Sequence, residues 1–292
     1  MKGDRHLSFT KGDSRPLLMG IVNANPDSFS DARRLTTLDA QVEAALAQVA
    51  AGADIVDVGG ESGVTYTPLT DPADEIARVV PLVERLAAEG VRVSVDTFKA
   101  PVAAAALDAG AAIINDVSGL ADPELARLCA QAGAALVVMH TRAAPKAEHF
   151  PAYDDVVGDV VAFLRERARL ALDAGVRDVI LDPGPDFAKS PAETVDVLRA
   201  FDQVVALGHP VLAAVSRKYF LGAITGRPPH ERLGATVAAA LWAADAGAAI
   251  LRVHDVAEVA DAFAVRNVLR GDADVPAVDR DDDALKWIRS DG

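Results

Sequence analysis

The feature that most constrains the fold is a repeated junction, in which a helix-like segment ends in glycine and an apolar run follows. Glycine just past a helix end is the usual left-handed cap, so each such glycine marks a helix-to-strand junction. With an opening strand at Leu17 to Val22, the junctions predict eight strands. They number seven and lie at Gly52, Gly90, Gly110, Gly133, Gly175, Gly208 and Gly247.

The segments between the predicted strands carry helical spacing, as in residues 42–49, where Val42, Ala45, Leu46 and Val49 fall at i, i+3, i+4 and i+7. Strands that alternate with helices pair in parallel, and eight such units favour closure over an open doubly wound sheet. The sequence therefore predicts an α/β protein, a single eight-stranded parallel (β/α)8 TIM barrel over residues 16–270. An N-terminal extension (1–15) would precede it, and an acidic C-terminal tail (271–292) would follow.

Charge and cysteine content exclude several classes of partner. The formal net charge is −14, which argues against a nucleic-acid surface or an anionic membrane as partner. Cys129 is the only cysteine, so no internal disulfide can form, as is typical of a reducing compartment. No apolar stretch has the length of a signal peptide or a membrane span. We therefore expect a soluble, cytoplasmic protein.

Polar side chains follow nearly every predicted strand, at the end of the barrel where catalytic groups of this fold lie. Three of them, Asp96, Asn115 and Asp182, could hydrogen-bond around the edge of a flat heterocycle. A carboxylate suits an adjacent ring N–H and amino group because it accepts two parallel hydrogen bonds. A second group, after strands seven and eight, is basic and predicts an anionic substrate group; it consists of Arg217, Lys218, Arg252 and His254.

Simpler interpretations remain open for single residues. Asp57 and Asp116 could each bond the backbone at their own turns, as acids after strands often do. Lys218 could form an ion pair with Asp182, which is compatible with a functional role. His140 and His149 lack a second ligand at metal-binding spacing, so the sequence predicts no zinc site.

Seven motifs in order carry a resemblance to a known family: MGIVNANPDSFSD, VDVGGES, VSVDTFKA, INDVSG, LDPGPDFAK, VSRKYF and LRVHD. From about Pro16 to Leu269 the chain resembles the dihydropteroate synthases of folate biosynthesis. The resemblance implies a transferase that joins a dihydropterin methyl diphosphate to p-aminobenzoate and releases pyrophosphate. The diphosphate would leave first, and the arylamine would attack the resulting pterin-methyl cation.

The resemblance also implies roles for individual residues. The pterin ring would be bound by Asp96, Asn115, Met139, Asp182 and Lys218. Asn23, Arg252 and His254 would hold the pyrophosphate, Asn23 through Mg²⁺ as a metal ligand. Catalytic roles would fall to Asp96, Lys218 and Arg252, and to Phe29 and Asp31 of a mobile first loop that shields the cation. The arylamine side would comprise Ser62, Gly63, Asp186, Phe187, Arg217 and Tyr219.

Departures from the family pattern lie on the arylamine side. The usual ESTRPG becomes ESGVTYTP, so that Gly63, Val64 and Thr65 replace Thr, Arg and Pro. Asp186 replaces a glycine of the usual GFGK, and Tyr219 replaces a serine. A carboxylate at position 186 would repel the p-aminobenzoate carboxylate by about 1 kcal/mol if solvated. These changes predict an altered arylamine pocket with reduced sulfonamide sensitivity. The alternative is that loop adjustments turn Asp186 and Tyr219 outward, in which case ordinary synthase activity survives.

Two other functions compete with synthase activity. The missing Arg of the second loop favours a paralogue that binds a pterin without condensing it. A pterin-dependent methyltransferase of the same barrel type is the third possibility, and the cluster at Arg252 and His254 speaks against it. A homodimer is implied by the resemblance only.

Overall fold

Eight parallel strands form a single sheet in the computed structural model, which describes residues 15–24, 37–61, 68–147 and 151–277. The strand order is β6-β5-β4-β3-β2-β1-β8-β7, and an isolated bridge between Leu181 and Val211 joins the two outer strands into a nearly closed ring. The predicted barrel is therefore confirmed. The strands are β1 (Leu17–Asn23), β2 (Ile55–Gly59), β3 (Val93–Asp96), β4 (Ile113–Asp116), β5 (Ala135–Met139), β6 (Val179–Asp182), β7 (Leu212–Ala213) and β8 (Ile250–Val253).

Helices follow the strands and cover the outside of the ring. All seven predicted junction glycines have positive φ, from +64° at Gly133 to +115° at Gly110, as left-handed caps require. Val42 and Ala45 of the first helix are buried against the sheet, as their spacing predicts. The helices are α1 (Leu38–Ala50), α2 (Pro72–Ala88), α3 (Ala100–Ala109), α4 (Glu124–Ala132), α5 (Val156–Asp173), α6 (Pro191–Arg199), α7 (Phe201–Val205), α8 (Tyr219–Thr225), α9 (Leu233–Asp245) and α10 (Val256–Arg270).

Alternation along the strands divides the apolar side chains into two cores. One face of each strand packs against the helices, as Val56, Val93 and Val95 do. The other face fills the barrel interior with a smaller cluster that includes Ile55, Ile113 and Ile180. Because side chains on a strand repeat their direction every second residue, the residue two positions after an interior one also points inward, closer to the carboxyl end.

That register decides which polar residues meet. Ile55 is followed two positions later by Asp57, Ile113 by Asn115 and Ile180 by Asp182. Asp96 pairs with Gly59 of β2 and Asn115 of β4, so these side chains start at the same height in the barrel.

Two further observations concern the predictions about membrane spans and the chain ends. No helix of the described part of the chain is long and apolar enough to cross a membrane. Residues 1–14 and 278–292, which hold most of the predicted N-terminal extension and acidic tail, lie outside the described residues.

Candidate active site

Arg252 joins three strands at the carboxyl end of the barrel. Its Nε donates to Oδ2 of Asp57 over 2.7 Å, and its Nη2 donates to Oδ2 of Asp96 over 3.1 Å. The same Asp57 oxygen accepts a hydrogen bond from Nδ2 of Asn115 over 3.1 Å. Strands β2, β3, β4 and β8 therefore contribute to one hydrogen-bonded cluster.

Asp57 lies at the centre of this cluster and does not cap its own turn. It is fully buried, and its Oδ1 has no hydrogen-bond partner in the described part of the chain. An unsatisfied buried carboxylate oxygen marks a place for a donor from a ligand. Asp116, one residue after Asn115, faces the other way and accepts bonds from the Ser118 and Leu120 amides at 2.7 and 2.6 Å. The turn-cap interpretation holds for Asp116 and fails for Asp57.

Burial affects the charge state of Asp96 and Asp182, two acids of the predicted pterin site. It raises the pKa of Asp96 to about 7, although the guanidinium of Arg252 acts to lower it. Burial also raises the pKa of Asp182, while a 2.7 Å hydrogen bond from the Gly184 amide and the charge of Lys218 oppose the change. Both carboxyl groups are thus held where hydrogen bonds from a ligand would favour the ionised form.

Lys218 follows β7 and faces the ring of Phe187, whose centroid lies 4.3 Å from Nζ. This distance lies within the range of a cation–π contact. Burial lowers the pKa of Lys218, and the carboxylates of Asp186 and Asp182 counteract this effect. Asp182 thus attracts Lys218 while its Oδ1 accepts the hydrogen bond from Gly184.

The predicted basic cluster lines one pocket of about 380 Å³. Ser216, Arg217, Lys218, Arg252 and His254 all line it. His254 Nδ1 lies 3.0 Å from the Ser216 hydroxyl, which also accepts the His254 backbone N–H. Burial, aided by the charge of Arg252, lowers the pKa of His254 to about 3, so its imidazole is neutral at pH 7 and can donate a hydrogen bond without carrying charge.

Arg217 is committed in part to another partner. Its guanidinium makes a two-point ion pair with Asp255, with Nε to Oδ2 at 3.0 Å. Its backbone has φ +55°, and its amide donates to the Thr236 hydroxyl. The loop after β7 is thus fixed to the beginning of α9 and to the loop after β8.

On the predicted arylamine side, the side chain of Asp186 turns to the protein itself. Its carboxylate accepts bonds from the Thr194 hydroxyl at 3.3 Å and from the Phe220 amide at 3.2 Å. Tyr219 is 64% exposed and Phe187 37% exposed. The other predicted residues of this side, Ser62 and Gly63, lie outside the described residues, as do Phe29 and Asp31 of the first loop.

Asn23 and Met139 occupy the predicted strand ends. Asn23 closes β1, where it pairs with Gly59, and Met139 closes β5, where it pairs with Asp182. In the part of the chain that the structure describes, no group of three or more His, Cys, Asp and Glu side chains is placed to hold a metal ion by itself.

Lys189 is a site residue whose role the sequence did not reveal. It is buried, and its ammonium donates to the backbone carbonyls of Gly184 and Phe187 at 3.0 and 3.1 Å. A third bond of 3.4 Å reaches the carbonyl of His140. Lys189 therefore shapes the loop that carries Asp186 and Phe187.

A sequence model described as "Pterin binding enzyme" matches residues 19–254 of the chain. Dihydropteroate synthase of Mycobacterium leprae is 45% identical over 85% of the chain and 91% of its own length. A probable bifunctional folylpolyglutamate synthase/dihydropteroate synthase of Haloferax volcanii is 47% identical over 90% of the chain, which spans only 32% of that longer protein.

Solved structures give the same result. Dihydropteroate synthase of Xanthomonas albilineans, solved with 4-aminobenzoic acid, superposes with a TM-score of 0.81 and is 43% identical, covering 90% of this chain and 94% of the other. The acids at the strand ends, the basic pocket and these matches all indicate the same family. The chain belongs to the family of pterin-binding enzymes.

Proposed function

We propose that the chain is a dihydropteroate synthase, a transferase of folate biosynthesis. It condenses 7,8-dihydropterin-6-ylmethyl diphosphate with p-aminobenzoate and yields 7,8-dihydropteroate and pyrophosphate. The observation that carries this proposal is that hydrogen-bonding acids and basic groups lie together at the carboxyl end of the barrel. Asp57, Asp96 and Asp182 can accept hydrogen bonds from a heterocycle, and Asn115 can accept or donate them, while Lys218, Arg252 and His254 line a neighbouring pocket that suits an anion.

Pterin recognition follows from the hydrogen-bonding groups of the ring. The 2-amino group and adjacent N–H form a pair of parallel donors, which suits a buried carboxylate such as Asp182. Asn115 has an amide that both donates and accepts, and Lys218 supplies donors for the ring carbonyl. Because Asp182 and Asn115 are almost fully buried, each hydrogen bond forms in a region of low dielectric constant, where it is strong.

The chemical step requires stabilisation of the leaving group. The bond between the pterin methylene carbon and the diphosphate oxygen breaks, and its electron pair leaves with the diphosphate. Arg252 and His254 lie where they can donate to the developing charge. The arylamine nitrogen then forms a bond to the methylene carbon and releases a proton, a step that needs no strong base.

We propose Mg²⁺ as the cofactor, with Asn23 as its protein ligand. Mg²⁺ is usually bound through one or two side-chain oxygens together with substrate phosphates, so a single amide oxygen at the end of β1 fits this ion. When bound, the ion would neutralise charge on the departing diphosphate. Arg252 and His254 would hold the same diphosphate from the neighbouring strand β8, which pairs with β1.

The proposed assembly is a homodimer in the cytoplasm. Apolar side chains on α9 and α10 support the dimer, because Leu233, Trp242, Val265 and Leu269 are between 37% and 83% exposed. Exposed apolar groups of this size favour a protein contact. Light scattering on the purified chain would measure its mass in solution. The cytoplasmic location is supported by the single, buried Cys129.

The two competing functions have less support. The pocket lined by Lys218, Arg252 and His254 suits a diphosphate, and a methyltransferase would have no diphosphate to bind. A pterin-binding paralogue without synthase activity would share the pterin half of the site. It differs in outcome, because it would bind pterin diphosphate without turnover of any arylamine.

Pyrophosphate release tests the proposal directly. With pterin diphosphate, p-aminobenzoate and Mg²⁺ we expect release of pyrophosphate that stops on chelation of the metal. Asp182→Asn and Lys218→Ala should each weaken pterin binding by about a hundredfold or more, because each removes charge-assisted hydrogen bonds from a buried ring. Asp202→Asn, an exposed acid on α7, is the matched control.

Calorimetry with pterin diphosphate, combined with the pyrophosphate assay with and without Mg²⁺, separates the candidates. Binding without turnover would favour the paralogue, and turnover that is indifferent to Mg²⁺ would favour the methyltransferase. Titration of a sulfonamide into the same assay measures whether the altered arylamine side reduces inhibition.

A further inference from the structure

The side chain of Asp186 ties the loop between β6 and α6 to the beginning of α8. Oδ1 of Asp186 lies 3.2 Å from the Phe220 amide, and Oδ2 lies 3.3 Å from the same nitrogen. The Thr194 hydroxyl donates to Oδ1, while it accepts the Asp186 amide at 3.1 Å. Asp186 therefore connects the loop that carries Phe187 to the helix that begins directly after Lys218.

The backbone shows that this side chain is held in a demanding conformation. Asp186 has φ +64° and Ala188 has φ +50°, both in the left-handed region where glycine is favoured. A residue with a side chain costs about 1 kcal/mol there relative to glycine. Its contacts to Thr194 and Phe220, together with the Lys189 bonds to the loop carbonyls, hold the loop in this shape.

The shape of this loop sets the position of Phe187 relative to Lys218. The loop places the Phe187 ring 4.3 Å from Lys218 Nζ, and the Phe187 amide donates to Gly184 over 3.1 Å. Among the negative groups near Lys218, Asp186 does the most to favour its charged form, ahead of Asp182 and Asp96. The charged or titratable groups around Lys218 are Asp96, Asp182, Asp186, Lys189, Arg252 and His254.

We propose that Asp186 is a positioning residue for Lys218, and that it acts on pterin binding rather than on p-aminobenzoate. Its carboxylate holds the loop of Phe187 to the beginning of α8 through the Phe220 amide, and its negative charge favours the ammonium of Lys218, which would meet the pterin. This inference rests on the proposed role of Lys218 in binding the pterin. It differs from the expectation that Asp186 repels the arylamine: the carboxylate is turned to Phe220 and Thr194, and the KM for p-aminobenzoate decides between the two.

Two variants separate charge from connection. Asp186→Asn keeps an oxygen acceptor for the Phe220 amide and tolerates the left-handed backbone, but it removes the charge. Asp186→Gly removes both charge and connection, while it relieves the backbone, so it should fold. The readouts are the dissociation constant of pterin diphosphate by calorimetry between pH 6.5 and pH 9.5, and the KM for p-aminobenzoate.

We expect Asp186→Asn to weaken pterin binding about fivefold at pH 8. The alkaline loss of pterin binding should shift to lower pH, because the ammonium of Lys218 loses its strongest supporting charge. Asp186→Gly should weaken binding further. The KM for p-aminobenzoate, measured at saturating pterin, should stay within about twofold for both variants.

The opposite pattern would overturn the inference: a lower KM for p-aminobenzoate with unchanged pterin affinity and an unchanged alkaline limb. Lys218→Ala tests the role of Lys218 in pterin binding separately from the positioning role of Asp186. If Lys218→Ala loses pterin binding and Asp186→Asn does not, the positioning role is wrong and the synthase assignment stands. If Lys218→Ala keeps full pterin affinity, the assignment of Lys218 and the inference that rests on it both fail.

Discussion

At the scale of single residues, one cation of the site is shared between two carboxylates. The guanidinium of Arg252 serves Asp57 and Asp96 at once, and Asp57 also accepts from Asn115. Burial nevertheless raises the pKa of Asp96 to about 7. A pterin that donates to Asp96 would favour its ionised form.

The raised pKa of Asp96 gives a pH-dependent stability. The folded protein keeps this proton up to about pH 7, whereas an ordinary aspartate loses it near pH 3.8. Between these values the folded state binds more protons, so the contribution of Asp96 to stability falls as pH rises. We expect Asp96→Asn to raise Tm relative to the parent protein at pH 8 more than at pH 5.

Thermal unfolding at the two pH values checks this, with the exposed Asp202→Asn as control. Equal differences in Tm at pH 5 and pH 8 would mean that Asp96 titrates like an exposed acid.

The sequence predicted which acids and bases reach the barrel mouth but not how they pair. Strand alternation put Asp96, Asn115 and Asp182 there, and the structure brings them together. The same alternation could have found Asp57, which lies two residues after the interior Ile55. No sequence pattern predicted the Asp186–Phe220 contact, because it joins a loop to the beginning of α8 and depends on tertiary packing.

At the scale of elements, Lys99 joins the loop after β2 to the beginning of α2 and α3. Its ammonium contacts Glu61 at 2.7 Å, Glu75 at 2.6 Å and the Thr70 carbonyl at 2.6 Å. Glu61 also pairs with Lys146 of the loop after β5, at 2.6 Å. Burial opposes ionisation of Glu61, yet Lys146 and Lys99 lower its pKa to about 2.

Removing Lys99 should be costly because Glu75 is fully buried. Lys99→Met leaves that carboxylate without its cation, and we expect a loss of about 3–5 kcal/mol in the free energy of unfolding. The double variant Lys99→Met/Glu75→Gln should lose less than Lys99→Met alone, since Glu61 keeps Lys146. Urea unfolding at pH 7 measures each value.

Arg169→Ala provides the comparison, because it breaks an exposed pair with Asp173 and should change stability by less than about 0.5 kcal/mol. A double variant as unstable as Lys99→Met would show that Glu75 does not depend on the charge of Lys99.

The elements themselves were largely predictable. Glycine caps such as Gly52 and Gly247 mark the junctions in the sequence, because few other residues adopt their positive φ. The strand at residues 208–216 shows the limit of that signal. Its apolar run predicts a full strand, but β7 covers only Leu212–Ala213, since regular pairing depends on its neighbours β6 and β8.

At the scale of the whole molecule, the ring of strands has one weak seam. β1 and β2 pair over five positions, whereas β7 pairs with β8 over two. Between β6 and β7 there is an isolated bridge at Leu181 and Val211, with the Leu181 amide donating to Pro210 over 2.9 Å. Asp182 and Lys218 lie on opposite sides of this seam.

A pterin bound to Asp182 and Lys218 should therefore hold the seam closed. We expect hydrogen exchange at residues 211–215 to be faster than at residues 55–59 in the ligand-free protein. With pterin diphosphate at a hundred times its Kd, exchange at the seam should slow by up to about a hundredfold.

Residues 93–95 serve as the internal control, because β3 pairs on both sides and none of these three residues is placed in the site. Equal slowing in β3 and at the seam would indicate a global effect of the ligand instead.

The shared guanidinium of Arg252 has a consequence for the end of the catalytic cycle. An anion that arrives alone must draw Arg252 from two carboxylates and enter their negative field. A pterin ring would add its own hydrogen bonds to Asp96 and Asp182, so we expect the diphosphate to be held best while the ring is attached to it. Free pyrophosphate lacks those bonds, and we expect it to bind more weakly than the pterin diphosphate. We therefore expect the pairing of Arg252 with two carboxylates to favour release of pyrophosphate and to limit inhibition by it.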